Sequence, residues 1–523
     1  MAAAAVALGV AEVIAVFTGP LSSPLLAVGA VVVDTVPGPV KDFGIAVFGT
    51  YDKIALLAGT LILLATYAAA VGIAALRSWR LALVGVALFT AIGAAAALTR
   101  HDAALTAATP SLVAGAVAAL TLRRLIALAT EPSTPTTVPT PLASPGPQHL
   151  TGTPPASLAS PPTPLASPPP THGRRRFLIG VGFAAAATVV TGVGGRLLTS
   201  RRAVTAARAA VVLPPPVQPP PTVPAGAQAE GATAWVTSNA DFYRIDTSLY
   251  PPQLDPSTWQ LRIHGMVRNP MTLTWEQLLS RPMIARHITL ACVSNEVGGD
   301  LIGNALWLGV RVKELLDEAQ PLPDADQVVS RSSDGWTCGT PTAVLRDGRD
   351  ALLAVGMNGQ PLPVDHGFPA RMVVPGLYGY VSACKWITEI ELTRFADFDA
   401  YWVPRGWSAQ GPIKTQSRID TPRDRATRKA GPLAVAGVAW AQHRGITKVE
   451  IQVDSGPWTE ATLAASASTD TWVQWSYRWE ATQGDHTIRV RATDADGQTQ
   501  PSQETPVAPN GATGWHSVQV TID

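Results

Sequence analysis

Three stretches in the first quarter of the chain carry no charged residue: IALLAGTLILLATYAAAVGIAAL at 54–76, then 81–99 and 103–122. Each is close to the ~20 apolar residues that a helix needs to cross a bilayer. Residues 1–18 read as a further span despite Glu12, and 177–195 (FLIGVGFAAAATVVTGVGG) as a fifth. The first run lacks a basic leader, which marks the start as incomplete or misassigned. Arg77 and Arg80 separate two of the spans, Arg123 and Arg124 close the fourth, and Arg174, Arg175 and Arg176 precede the fifth. All of them fall on the cytoplasmic side if the N-terminus is inside, which puts everything after residue 200 on the outer side.

From residue 232 the pattern changes. Strand-like runs such as WQLRIHGMV and RMVVPGLYGYV alternate with short helical ones such as LTWEQLLSRP and VRVKELLDEA, which predicts a mixed α+β domain. After residue 416 the helical signals stop. Val449, Ile451 and Val453 alternate with Glu450, Gln452 and Asp454, and HTIRVRATDADG and WHSVQVTI repeat the period of two. Short strands between Gly/Asp turns over about 100 residues predict a β-sandwich.

Two stretches have neither periodicity. Residues 131–172 and 213–231 are dense in proline with Ser, Thr and Ala; such composition favours extended spacers. Between them GRRRFLIGVGFAAAA sets paired arginines before Phe177, Leu178 and an apolar run. It reads either as a twin-arginine export signal or as a basic flank on an ordinary anchor. Twin-arginine export carries folded proteins, so that reading favours a cofactor in residues 232–523.

The chain has 523 residues, enough for three or four domains. Apolar residues are 47% and charged ones 15%, a greasy balance that the apolar runs explain. A net charge of +1 gives no electrostatic footprint for nucleic acid, and none is expected as a partner.

Only three cysteines occur, at 292, 338 and 384. Cys292 lies in HITLACVSNEVGG with no second cysteine or histidine at metal-ligand spacing. A lone thiol in an exported domain is buried structure, half of a disulfide, or a reactive or metal-binding thiolate. The surroundings add more. LACVSNEVGG, ALWLGVRVKELL and MNGQPLPVDHGFPARMVVPGLYGYVSACKW together resemble the sulfite oxidase family of molybdenum-cofactor enzymes. SNADFYRIDTSL and YWVPRGWSAQGPIKTQSRID add support, and GVAWAQHRGITKVEIQVDSGPW looks like that family's immunoglobulin-like dimerisation domain. The likeness covers about residues 235–523 in the family's order.

The runs and the resemblance together predict a multidomain protein. The apolar runs predict a four-span transmembrane α-helical region at 1–130, composition predicts a linker at 131–172, and the arginines predict a twin-arginine-like signal with a fifth transmembrane helix at 173–200. A second linker follows at 201–231, then an α+β molybdopterin domain at 232–415 and the immunoglobulin-like β-sandwich at 416–523. In the family one pterin's dithiolene sulfurs and one protein thiolate hold molybdenum, so a single soft ligand suffices. Cys292 matches that ligand and is the catalytic and metal residue the resemblance implies. His366, Arg371 and Lys385 match positions that bind the cofactor and its phosphate, and Arg's fork suits phosphate. Asn239, Phe242, Tyr243 and Arg244 match the family's N-terminal cofactor motif, and Asp334 in RSSDGW a further position.

Departures bear on the substrate. Sulfite oxidases follow the ligand cysteine with Ala-Gly-Asn-Arg-Arg; here Val293, Ser294, Asn295, Glu296 and Val297 stand there. The family's active-site tyrosine falls on Val355. Loss of cations disfavours sulfite and leaves a neutral sulfoxide or another small oxygen donor or acceptor. With no CxxCH, three scattered cysteines and His101 alone before residue 130, no haem or iron–sulfur cluster is expected in this chain. Quinone or a separate cytochrome is the expected electron partner, membrane lipid surrounds the helices, and the sandwich implies a homodimer. Whether Cys338 and Cys384 pair stays open. The expected enzyme is multi-pass in the cytoplasmic membrane with its catalytic half outside. A non-catalytic binding module that kept the fold is the alternative.

Overall fold

The computed structural model describes residues 1–19, 22–36, 40, 47, 52–100, 103–130 and 204–523. The first proline-rich stretch, the arginines at 174–176 and the fifth apolar run lie outside the described residues. Two compact units divide the chain, one holding 1–31, 48–99 and 103–197, the other 32–47, 100–102 and 198–523.

The N-terminal apolar runs are helices: α1 (Ala2–Thr18), α2 (Pro24–Thr35), α3 (Asp52–Arg77), α4 (Trp79–Leu98) and α5 (Thr109–Thr130). Among the described residues, three stretches are long and apolar enough to cross a membrane, namely Ala58–Arg77, Trp79–Leu98 and Leu105–Leu128. The first run forms α1, an apolar helix of 17 residues, and a separate helix α2 follows it. Glu12, the acid within α1, is buried and accepts a hydrogen bond from the Ser23 hydroxyl, which is how an acid persists among apolar neighbours.

Residues 232–415 hold two sheets. The strands are β1 (Gln260–Gly265), β2 (Met271–Thr274), β3 (Ile284–Ala291), β4 (Ile302–Arg311), β5 (Gln327–Ser332), β6 (Thr337–Pro341), β7 (Leu352–Met357), β8 (Gln360–Pro361), β9 (Arg371–Val373) and β10 (Ile387–Thr393). One sheet runs β2-β1-β10-β5-β6; the other runs β3-β4-β7-β8, with β9 paired to β7. The β1–β10 pair is parallel, so the chain between them must cross over, and that crossover contains the whole second sheet. β7 reads Leu-Leu-Ala-Val-Gly-Met and is buried at every position, as a strand covered on both faces must be.

The second proline-rich stretch departs from the free spacer that its composition predicts. After a helical turn over 204–210 it runs extended along the domain. Val217 donates to the Met283 carbonyl at 2.8 Å and Gln218 accepts from Ala285 at 3.0 Å. Arg208 donates to the carbonyls of Leu362 and Pro361 at 2.7 and 2.6 Å, while Val211 and Leu213 pack on the core. Proline's fixed φ suits an edge-lying strap, which needs few amide donors of its own.

The last 108 residues form the expected sandwich. β11 (Gln416–Thr421), β13 (Gly431–Trp440), β17 (Val473–Ala481) and β16 (Thr462–Leu463) make one sheet. β12 (Ala426–Arg428), β19 (His516–Ile522), β18 (Gly484–Asp494), β14 (Ile446–Val453) and β15 (Thr459–Glu460) make the other. Val449, Ile451, Ile488, Val490, Val518 and Val520 turn inward around Trp475, the alternate positions that the period of two selected.

Candidate active site

β3 ends at Ala291 and delivers Cys292 to its C-terminal edge, 7% exposed. The Ser294 amide donates to its sulfur at 3.4 Å. Burial pushes the thiol's pKa up, opposed by the Ser294 donors and by the charge of Lys385. A metal ion would replace that proton.

The loop at 238–246 arrives opposite. Its turn is closed by Ser238, whose carbonyl accepts from Phe242 at 3.0 Å. Phe242 enters the second sheet, edge-on to Trp307 and to His366, both at 5.7 Å, with Tyr243 stacked on it at 5.2 Å. Asn239 locks the loop to the 358 turn by accepting from the Asn358 side chain at 2.8 Å. Its carbonyl takes a hydrogen bond from His366 Nε2 at 3.0 Å; since a carbonyl only accepts, the ring proton sits on Nε2. Burial, then the charges of Arg371 and Lys385, lower the His366 pKa to about 4, so the ring is neutral at pH 7.

HGFPAR and ACKW supply the cations. Arg371 opens β9 at 5% exposure and donates to the carbonyls of His366 and Met372 at 3.1 and 3.3 Å, with its guanidinium 5.1 Å from the Trp307 ring centre. It has no carboxylate partner among the described residues, and burial lowers its pKa to about 10. Lys385, 8% exposed, donates to Asp246 at 2.6 Å and lies 4.7 Å from the Trp386 ring centre. Burial brings its pKa to about 8 against the pull of Asp246. Gly367 makes this crowding feasible: its φ is +110°, and a Cβ there would meet Arg371 Cβ at 3.0 Å and Lys385 Cβ at 3.1 Å. Arg244, partly exposed at the rim, reaches Asp246 at 3.0 Å and Asp365 at 3.5 Å.

Tyr243 ties the two sides together. Its phenol pKa is pushed up by burial and then by the nearby Cys292 charge, with Arg371 opposing. Gly379 lies against both the Tyr243 hydroxyl and the Ala291 carbonyl. Cys292, Phe242, Tyr243, Asn239, His366, Arg371, Lys385 and Arg244 are thus brought together. Asp334 lies at the β5–β6 turn, where its carboxylate accepts from the Trp336 amide at 3.1 Å and its charge reaches Cys384, the neighbour of Lys385. Sequence reasoning missed Asp246, the acid that Arg244 and Lys385 share, although it stands two residues after Arg244. Trp307 was also missed, as was buried Tyr378, whose phenol is pushed up first by burial and also by Cys292.

The donor chemistry fits a molybdenum–pterin group: one soft sulfur, a buried guanidinium lacking an anion, and a buried ammonium. Among the described residues another set of three potential ligands, His264, Glu389 and Glu391, lies on the first sheet. Its carboxylates are met by Arg262 at 3.1 Å and by Arg331 at 3.1 and 2.5 Å, so they neutralise arginines. Cys338 and Cys384 are buried free thiols.

Comparison with known proteins agrees with this chemistry. Residues 248–402 match the oxidoreductase molybdopterin binding domain and 416–490 a bacterial Ig domain. The mitochondrial sulfite oxidase of Mus musculus is 28% identical over 340 residues, covering 55% of this chain and 62% of its own length. The uncharacterized oxidoreductase YuiH of Bacillus subtilis (strain 168) is 32% identical over 169 residues, covering 32% of this chain and 81% of its own. The sulfane dehydrogenase SoxCD of Paracoccus pantotrophus aligns in structure with a TM-score of 0.49 at 23% identity, over 55% of this chain and 82% of that one. The chain spans about three-fifths of the length of the mitochondrial sulfite oxidases that it matches, 62% for the mouse protein. With the molybdopterin-binding match and with YuiH covered over 81% of its length at 32% identity, the chain belongs to the sulfite oxidase family of molybdopterin-dependent oxidoreductases.

Proposed function

We propose that this protein is a membrane-anchored oxygen-atom-transfer enzyme working outside the cytoplasmic membrane, with Cys292 as the thiolate ligand of its molybdenum. One observation carries the reading: Arg371 is 5% exposed with no carboxylate partner among the described residues. An unpaired buried charge is strongly unfavourable, so an incoming anion is the natural partner. A binding module has no use for it.

When bound, the cofactor supplies a metal that exchanges two electrons and an oxygen atom with substrate. The chain's residues do the rest. Arg371 and Lys385 receive the cofactor's phosphate, Asp246 holds Lys385 in place beforehand, and Phe242 with Trp307 walls the site against water. Neutral His366 keeps its Nε2 proton on Asn239. Exposed Glu296 and apolar Val297 give the approach to Cys292 no cation, which supports a neutral sulfoxide or another small oxygen donor or acceptor over sulfite. Quinone or a separate cytochrome completes the electron circuit, no haem or iron–sulfur cluster being carried here, and the sandwich pairs two copies. The apolar helices anchor the protein in lipid as a multi-pass region. The paired arginines at 174 and 175 direct the folded, loaded C-terminal half outward.

The deciding experiment purifies the full chain from a host that makes the cofactor and measures molybdenum, pterin and turnover of sulfoxides and sulfite with artificial electron carriers. About one molybdenum per chain is expected, and Cys292→Ser should abolish turnover because a hydroxyl is a hard ligand. Full activity of that variant, or a wild type without pterin, would sink the reading.

A further inference from the structure

The strand that leads into Cys292 and the loop that follows it are each held by the β-sandwich. At Thr289 the Trp472 amide donates to the hydroxyl at 2.8 Å and the Gln442 side chain to the carbonyl at 3.0 Å. The Thr289 amide in turn donates to the Asp470 carbonyl at 3.0 Å. Beyond Cys292 the chain makes a loop to Leu301 whose base is self-tied. Cys292 donates to the Leu301 carbonyl at 2.9 Å, and Leu301 donates to the Asn295 side chain at 2.9 Å. The tip is held from outside. Arg418 Nη1 donates to the Gly299 carbonyl at 2.9 Å while its Nε pairs with Asp420 at 2.7 Å, both side chains 12% exposed. Beside it Gly298, φ +77°, lies flush on the His516 ring, where a Cβ would stand 2.2 Å from Cδ2. His516 is itself fixed, its Nδ1 accepting from the Ile419 amide at 3.0 Å. Asp420 is anchored by the Thr233 amide at 2.9 Å.

We infer that the β-sandwich sets the position of Cys292, with Arg418 as the positioning residue acting through the Gly299 carbonyl. A loop with two adjacent glycines has many conformers of its own. A metal-ligating sulfur needs placement within a fraction of an ångström by groups around it. Arg418 removes that freedom: Asp420 orients the guanidinium, which then fixes the loop tip while His516 bars it from moving inward. The functional consequence rests on Cys292 being the ligand, but the positional claim can be tested without the metal.

The test alkylates the cofactor-free, full-length chain with iodoacetamide and follows each cysteine by peptide mass spectrometry. Arg418→Ala should label Cys292 at least about tenfold faster than wild type, because local opening governs access. Arg418→Lys, which keeps one donor for Gly299, should stay within about threefold. Cys338 and Cys384, both 0% exposed, should label at the wild-type rate throughout. Gly298→Ala disturbs the same contact from the loop side and should also accelerate Cys292, which keeps the test decisive if Arg418→Ala does not fold. Wild-type labelling of Cys292 in Arg418→Ala or Gly298→Ala, equal acceleration of all three cysteines, or no rescue by lysine would overturn the inference. If instead Cys292→Ser keeps molybdenum and turnover, the ligand role fails while the labelling result stands.

Discussion

Lys385 and Arg244 meet on one oxygen of Asp246, at 2.6 and 3.0 Å. Asp246 is the anion that the cradle offers its own cations, so under the proposed function cofactor loading and chain stability are coupled through it. Asp246→Asn should destabilise the cofactor-free chain by about 3 kcal/mol, since breaking a buried pair leaves a charge uncompensated. In the loaded enzyme the loss should be much smaller, because the incoming phosphate supplies negative charge. Urea midpoints of both forms check this; equal losses would argue that Asp246 has no relation to the cofactor.

Arg371 makes the opposite prediction. It is buried against Trp307 with no carboxylate among the described residues, so Arg371→Met removes a desolvated charge while keeping most of the volume. The cofactor-free chain should melt at the same temperature or higher, whereas pterin content should fall at least about tenfold for loss of a charge-assisted contact. Reduced stability with full pterin content would mean that the guanidinium is structural.

His366 sets a pH signature. Its folded pKa of about 4 lies below the ordinary 6.5, so between those values the unfolded chain binds a proton that the folded chain refuses. Stability is therefore fully retained above pH 6.5 and falls as pH is lowered through that window, by up to about 3 kcal/mol. His366→Gln keeps a donor for Asn239 and has no titration, so its urea midpoint should vary less between pH 7 and pH 4.5. An unchanged slope would place the acid sensitivity elsewhere.

Much of this was legible along the chain because the signals are local. The period of two selected Val449 and Ile451 as core, and HGFPAR with ACKW located Arg371 and Lys385. What escaped depends on what crosses between segments. Asp246 gains its meaning only when Lys385, far away in sequence, folds onto it. The strap at 211–231 has a spacer's composition, yet Val217 and Gln218 find open edge partners at Met283 and Ala285.

The substrate prediction is altered by where the departures lie. The resemblance read along the sequence places a tyrosine at Val355 and arginines at Glu296 and Val297, as if the three were equivalent. They are not. Val355 is 0% exposed within β7, and a tyrosine there must displace packed neighbours, at a cost of about 1–3 kcal/mol. Val297 Cγ2 stands 3.4 Å from where a Cβ on Gly514 would be, so an arginine must push past the sandwich. Glu296 is exposed, and reversing its charge costs the fold little. Wild type should therefore oxidise sulfite poorly, and Glu296→Arg alone should raise kcat/KM for sulfite by about tenfold, removing repulsion toward an incoming anion and adding attraction. That gain should shrink at high salt, because a charge at an exposed position is screened. A neutral sulfoxide should show no comparable change, since its approach does not depend on the sign at 296. Val355→Tyr should lower the melting temperature without raising sulfite turnover. Steady-state kinetics of each variant on both substrates at two salt concentrations separates these outcomes, and efficient sulfite turnover by the wild type would show that this family member binds the anion without the two arginines.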